Sequence, residues 1–240
     1  MSVPRFYVEL LAEPVVNLPE AEARHARQSR RLSAGDPVAL FDGRGGQASG
    51  RIAACSPGQV SIAVESVTQV LRPRPLLTLA FTPPKGPRQD TLIEKCTELG
   101  VAAFQPIETA RSVAGASSHR VDKWQRTAIE AAKQAGLTWL PEIRKLLGFE
   151  KLLKEAPAHD AALIAVSSGA PILDLLPQMR DAQSVLALIG PEGGWTDEEI
   201  ARAIAAGALP VSLGPNILRI ETAAIALAAA IHPLLHADLA

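Results

Sequence analysis

The chain has 240 residues, 48% hydrophobic and 20% charged, with 24 Lys and Arg against 25 Asp and Glu for a net charge of −1. Enough apolar surface is present for one or two packed domains, which excludes a chain disordered by composition, and near-neutrality excludes a partner chosen by bulk charge. Aromatic residues make up 4%, so the core falls to Leu, Ile, Val and Ala. Cys55 and Cys96 stand apart without metal-ligand spacing and read as two buried thiols in a reducing, cytoplasmic setting with no metal. No secretory or membrane-spanning segment is expected: Ala223 to Ile231 is strongly apolar but far shorter than the roughly 20 residues a span needs.

Up to about residue 70, short β-rich runs at 37–41, 50–54 and 60–64 alternate with turn signals such as Asp42-Gly43 and Ser56-Pro57-Gly58. Strands at that spacing predict a small β-barrel. Gly43-Arg44-Gly45-Gly46 lies between two of these runs and reads as a hairpin turn rather than a phosphate cradle. The stretch Arg24 to Arg31 carries four arginines and no acid, which suits either phosphate contact or a solvated face. Arg72-Pro73-Arg74-Pro75 then forms a stiff connector, dividing the chain into residues 1–71 and 72–240.

Beyond the connector the hydrophobic period changes. Leu76 to Phe81 is strand-like, Leu92, Ile93, Cys96 and Leu99 mark a helical face ending at Gly100, and Val101 to Ile107 is another strand. Val121 to Ala132 has helical spacing and Ala161 to Val166 supplies a further strand. Alternation of this kind indicates a mostly parallel α/β domain.

The last sixty residues contain two glycine-bearing turns, Gly190-Pro191-Glu192-Gly193-Gly194-Trp195 and Leu213-Gly214-Pro215-Asn216-Ile217-Leu218-Arg219. Each follows an apolar run, Ser184 to Ile189 in one case and Pro210 to Leu213 in the other, and each precedes a helix. Thr196-Asp197-Glu198-Glu199 reads as a capping box, with Ile200 and Ile204 on the helix's apolar face and Gly207 as its stop. Ile220 to Ile231 is apolar on almost every side and must be buried, in the core or against a second copy. Turns of this type let backbone groups approach a ligand at the C-terminal edge of a parallel sheet. No Walker motif, nucleophile elbow or histidine ligand spacing accompanies them.

Here the chain resembles the RsmE family of bacterial 16S rRNA (uracil-N3)-methyltransferases, of the SPOUT class. The two turns carry the resemblance, with Ile189 completing the first and Ile220-Glu221-Thr222-Ala223 the second. Arg5-Phe6-Tyr7, His25 with Arg31, Phe41-Asp42-Gly43, Lys85-Gly86, Thr97 to Val101, Arg111-Ser112-Val113, Trp124, Glu130-Ala131-Ala132 with Gln134, and Pro141-Glu142-Ile143 match in order. The chain departs from the pattern at Ser29-Arg30, Ala110, Leu137 and Asn216.

The resemblance implies a PUA-like β-barrel that binds RNA, followed by a SPOUT domain whose parallel sheet is tied in a trefoil knot around S-adenosylmethionine. It implies a homodimer acting on 16S rRNA, with the assembled small ribosomal subunit as the expected substrate. Cofactor contacts carry over to Leu188, Gly190, Glu192, Gly193, Leu213, Gly214, Ile217 and Leu218. RNA contacts carry over to Arg5, His25, Arg27, Arg30, Arg31, Lys85 and Arg111. Methyl transfer to N3 needs the developing uracil anion stabilised and the N3 proton accepted, which suggests Arg219 for the first role and Glu221 or Glu192 for the second. A ribose 2′-O-methyltransferase of the same class, or a non-catalytic RNA-binding protein that retains the fold, is the alternative.

Overall fold

The computed structural model describes residues 3–11, 14–56, 58–112 and 118–234; Pro57 and Val113, named above in a turn and a motif, lie outside them. The chain divides into two compact units, Met1–Arg72 with Ala132–Leu140, and Pro73–Ala131 with Pro141–Ala240.

The first unit contains β1 (Arg5–Tyr7), β2 (Val15–Asn17), α1 (Glu20–Arg24), β3 (Pro37–Phe41), β4 (Gly46–Ser56) and β5 (Gln59–Gln69), with a π-helical turn over His25–Ser29 continuing α1. Its ladder runs β1-β3-β4-β5-β2, parallel between β1 and β3 and antiparallel elsewhere, and does not close between β1 and β2 among the described residues. All five strands send residues such as Phe6, Val16, Leu40, Ile52 and Ile62 into one apolar cluster, as a barrel-like sheet with a single inner face requires. Register shifts in the β4–β5 pair, after Ser49 and Ile52, supply bulges that help such long strands curl. The 43–46 segment is indeed the β3–β4 hairpin turn: the Asp42 carboxylate accepts from the Arg44 and Gly46 N–H groups at 2.7 and 2.9 Å.

The unit also takes in Ala132–Leu140, which sequence punctuation leaves in the C-terminal domain. Side chains and backbone bonds far apart in sequence hold it there. The Arg5 guanidinium donates to the Leu137 carbonyl (2.7 Å), Trp139 Nε1 donates to the Val70 carbonyl (3.0 Å), and the buried Lys133 and Glu22 form an ion pair at 2.9 Å. Cys55 falls on the exposed end of β4, contrary to its expected burial, because that end of the strand runs beyond the apolar cluster.

The second unit comprises β6 (Leu76–Phe81), α2 (Arg88–Glu98), β7 (Ala103–Glu108), α3 (Ser118–Ala135, whose last four residues count with the first unit), β8 (Glu142–Ile143), β9 (Leu147–Gly148), α4 (Phe149–Glu155), β10 (Ala161–Pro171), α5 (Ile172–Leu175), β11 (Ser184–Ile189), α6 (Asp197–Ala205), β12 (Ala208–Ser212) and α7 (Ile220–Ile231). The sheet order is β12-β10-β11-β6-β7-β8, with β9 pairing β7, and every pairing is parallel. Both faces are covered: one apolar cluster includes Leu79, Ile93, Trp124 and Leu227, the other Ile164, Leu186, Phe149 and Trp195. That is why β6 and β11 read as continuous apolar runs rather than alternating ones. Within the first cluster, burial pushes the Cys96 thiol up to about 12, so this cysteine is an inert packing residue. No helix among the described residues is long and apolar enough to cross a membrane.

Helix α7 buries Ile220, Glu221, Ala224, Leu227, Ala228 and Ile231 within its own chain, leaving Thr222 and Ala229 on the exposed side. A charge at the fully buried Ala228 therefore acts on folding before it acts on assembly. Ala228→Glu is expected to cost about 3–5 kcal/mol, the scale of an uncompensated buried charge. Urea unfolding followed by circular dichroism checks this; a wild-type midpoint in a soluble variant would contradict the packing described.

Candidate functional site

Because β6, β10, β11 and β12 run parallel, their C-terminal ends share one edge of the sheet. Ile189 lies in register with Phe81, and the Thr82 N–H donates to the Ile189 carbonyl at 3.2 Å. The chain thus leaves the sheet side by side at Thr82 and Gly190. The turn after β12 opens on the same edge and leads into α7.

The first turn is fixed from several directions. At Gly190 a Cβ would sit 2.7 Å from the Trp195 indole, so only glycine lets the ring lie under the strand end. Trp195 Nε1 donates to the Ala165 carbonyl of β10 at 3.1 Å, and the ring packs on Phe149 with centroids 5.3 Å apart. Both halves of the expected capping box form: the Glu199 N–H donates to Thr196 Oγ1 (3.1 Å), and Glu199 Oε2 accepts from the Thr196 N–H (2.9 Å). The other carboxylate oxygen of Glu199 accepts from the Ala110 N–H at 2.8 Å. Next to Ala110, Arg111 Nη1 donates to the Gly193 and Trp195 carbonyls at 2.9 and 3.3 Å. Glu192 pairs with Arg88 at 2.7 Å in a partly exposed bridge, a type that contributes little stability. Positive φ falls on Gly194 (71°) and not on Gly193.

The second turn is open. Gly214 has φ 127°, with nothing within 4 Å of where its Cβ would point. Leu213 and Leu218 are half-buried, Asn216 and Arg219 are exposed, and Ile217 is 98% exposed. Arg219 is the N-cap residue of α7, yet its side chain makes no cap bond and has no partner among the described residues. Glu221, in the first turn of that helix, is 9% exposed, and its Oε2 oxygen accepts no hydrogen bond among the described residues. The buried Thr82 hydroxyl at the end of β6 is likewise unpartnered. Buried polar atoms are seldom left so.

The expected site residues separate between the two units. Gly190, Glu192, Gly193, Leu213, Gly214, Ile217, Leu218, Arg219, Glu221 and the exposed Lys85 belong to the second unit's sheet edge. Leu188 is fully buried inside the sheet between Ala80 and Ile164, so it supports the first turn from below and does not line it. In the first unit, Arg27, Arg30 and Arg31 follow one another along and just past the π-helical turn, with no partner among the described residues. Arg31 stands there at φ 52°, a left-handed conformation unusual for a side-chain-bearing residue. His25 contacts the edge of Phe6, whereas Arg5 is committed to Leu137 and to the face of Phe41, 4.6 Å from the ring centre. Sequence reasoning missed Thr82, Arg88 and Trp195; only the capping box hinted that the first turn was rigid.

A model of the RNA methyltransferase domain matches residues 72–232, and a model of the RNA methyltransferase PUA domain matches residues 18–65. The ribosomal RNA small subunit methyltransferase E of Synechocystis is 38% identical over 95% of this chain and 76% of its own length. That of Bacillus subtilis is 30% identical over 91% of this chain and 92% of its own. The chain belongs to the ribosomal RNA small subunit methyltransferase E family. The Neisseria gonorrhoeae member, solved with S-adenosylmethionine bound, superposes with a TM-score of 0.89 at 29% identity, covering 97% of this chain and 98% of that one. A methyltransferase of Legionella pneumophila, also solved with this cofactor, gives a TM-score of 0.87 at 30% identity over 99% and 98% of the two chains. S-adenosylmethionine is the family's methyl donor, and the residues at this edge fit it: open glycine backbone, an exposed isoleucine and unpaired buried oxygens stand where the two turns leave the sheet.

Proposed function

We propose that this protein methylates N3 of a uridine in the 16S rRNA of the small ribosomal subunit. It is an S-adenosylmethionine-dependent rRNA methyltransferase, with a PUA domain preceding its parallel α/β domain. The observation that carries the chemical assignment is the buried Glu221 oxygen, unpaired among the described residues, two residues past the N-cap of α7, where Arg219 has no side-chain partner among the described residues.

Backbone groups of Gly190, Glu192 and Gly193 on the first turn, with Leu213, Gly214, Ile217 and Leu218 on the second, would hold the cofactor. Bound there, it supplies an electrophilic methyl group on sulfur. The protein's part is alignment, worth roughly 7–11 kcal/mol for well-oriented partners. Arg219 presents its N–H groups to the uracil carbonyl oxygens as negative charge develops there. Glu221 accepts the N3 proton; Glu192, the other candidate, already faces Arg88. The loops after β11 and β12 are read as a trefoil knot. The exposed Ile217, with the outer side of α7, is read as the face a second copy covers in a homodimer. The setting is cytoplasmic.

RNA docks on the first unit, through the guanidiniums of Arg27, Arg30 and Arg31, unpartnered among the described residues, with His25 alongside, and Lys85 contacts the substrate from the cofactor side. Arg5, engaged within its own unit, is left out of that surface.

Mass mapping of 16S rRNA from cells lacking the protein tests the assignment directly: one uridine should lose its N3 methyl group and regain it on complementation. A complete methylation pattern, or a missing ribose methyl, would refute it. Glu221→Gln is expected to lower the single-turnover methylation rate about 10²–10⁴-fold, the scale of general-base catalysis, with cofactor affinity changed much less. A near-wild-type rate would remove Glu221 from the chemistry. For RNA, Arg27→Gln and Arg30→Gln combined with Arg31→Gly removes three charges while relieving the left-handed strain at position 31. RNA affinity should fall, and the slope of log K against log salt should flatten by roughly 2–3. An unchanged slope in filter-binding titrations would discard this docking surface.

A further inference from the structure

The two peptide groups Gly193–Gly194 and Trp195–Thr196 are held at both ends. The Gly193 carbonyl accepts from Arg111 Nη1 (2.9 Å), while the Gly194 N–H donates to the Pro191 carbonyl (2.8 Å). The Trp195 carbonyl accepts from the same Nη1 (3.3 Å), while the Thr196 N–H donates to Glu199 Oε2 (2.9 Å). Because a peptide group is planar with its C=O and N–H opposed, fixing both ends fixes the plane. The alternate N–H groups, those of Gly193 and Trp195, have no acceptor among the described residues. They are the donors left over for a ligand, each in a peptide group directly adjoining one that Arg111 holds.

We propose that Arg111 is a positioning residue for the cofactor turn, and that it sets S-adenosylmethionine affinity without touching RNA. The inference rests on reading Gly190–Trp195 as a cofactor turn. One nitrogen carries two protons and bridges two carbonyls, so a single side chain aligns peptides two residues apart. The neighbouring Ala110 N–H, bound to Glu199, keeps the backbone of Arg111 against the turn. Removing the guanidinium leaves each peptide held only at its N–H end, and the cofactor must then restore the order of the turn on binding.

Calorimetric titration with S-adenosylhomocysteine compares the wild type with Arg111→Ala and Arg111→Lys, alongside RNA binding and steady-state kinetics. Arg111→Ala should weaken cofactor binding roughly tenfold to a hundredfold, the scale of losing charged hydrogen bonds. KM for S-adenosylmethionine should rise more than kcat falls, and RNA affinity should hold. The lysine variant, which keeps a cationic donor near the carbonyls, should recover part of the loss and remains informative should the alanine variant not fold. Wild-type cofactor affinity in a folded alanine variant, or in the lysine variant where alanine does not fold, would overturn the proposal. So would a loss confined to RNA binding, which would make Arg111 a phosphate contact. Hydrogen exchange of the wild type separates the underlying reading: the amides of Gly193 and Trp195 should slow on adding S-adenosylhomocysteine. Without that protection the cofactor turn itself is misassigned; with it, unaltered Arg111 variants would overturn only the role of the arginine.

Discussion

A carboxylate that is 7% exposed, that of Glu199, holds the candidate site together. Burying a carboxylate costs several kcal/mol unless its oxygens are satisfied, and here they accept from the Thr196 N–H and hydroxyl and from the Ala110 N–H. The positive end of α6 lies at the same place and favours the charge further. Two of those bonds close the helix start, and the third crosses 89 residues of sequence to the loop after β7. A cap that would ordinarily only begin a helix thereby joins two β–α loops of one sheet. Arg111 reaches the turn carbonyls because its neighbour is already anchored there.

Parallel strands make this arrangement useful. They deliver the ends of β6, β11 and β12 to one edge, and the β6–β11 register brings Thr82 beside Gly190. The two turns then play different parts. The first is pinned by Trp195, Arg111 and Glu199, whereas the second, from Gly214 to Arg219, is mostly exposed. A pinned turn and an open one thus stand at the same end of the sheet, and the open one carries Arg219 and leads to Glu221, the residues assigned to the nucleobase.

Local signals made much of this legible in the sequence. β6, β11 and α7 have the bounds their apolar runs predict, and the capping box at Thr196 forms as its spacing requires. What escaped depends on distant partners. The apolar face assigned to α6 is an instance: Ile204 is exposed while Glu199 and Ala203 turn inward, because the carboxylate's long-range bond to Ala110 fixes the rotation of the helix. Likewise β1 and β2, three residues each, gain their strand character from partners in β3 and β5 rather than from their own pattern. The placement of Ala132–Leu140 in the first unit follows from Arg5, Val70 and Glu22, none of which is near it in sequence.

Arginine shows the same limit most clearly, since its identity in a sequence says nothing of what its guanidinium meets. Arg5 lies against an aromatic ring and a carbonyl, Arg88 faces Glu192, Arg111 binds two turn carbonyls, and Arg219 meets no protein group among the described residues. The first three are engaged in holding protein to protein. Arg219 keeps all five of its N–H donors, at the start of a helix whose dipole adds to the local positive potential. A guanidinium already neutralised by a protein partner gains little when charge appears on a substrate, while an unpaired one gains most at the moment the uracil becomes anionic. That difference, more than proximity to the turn, distinguishes the arginine assigned to the chemistry from the arginine assigned to the scaffold.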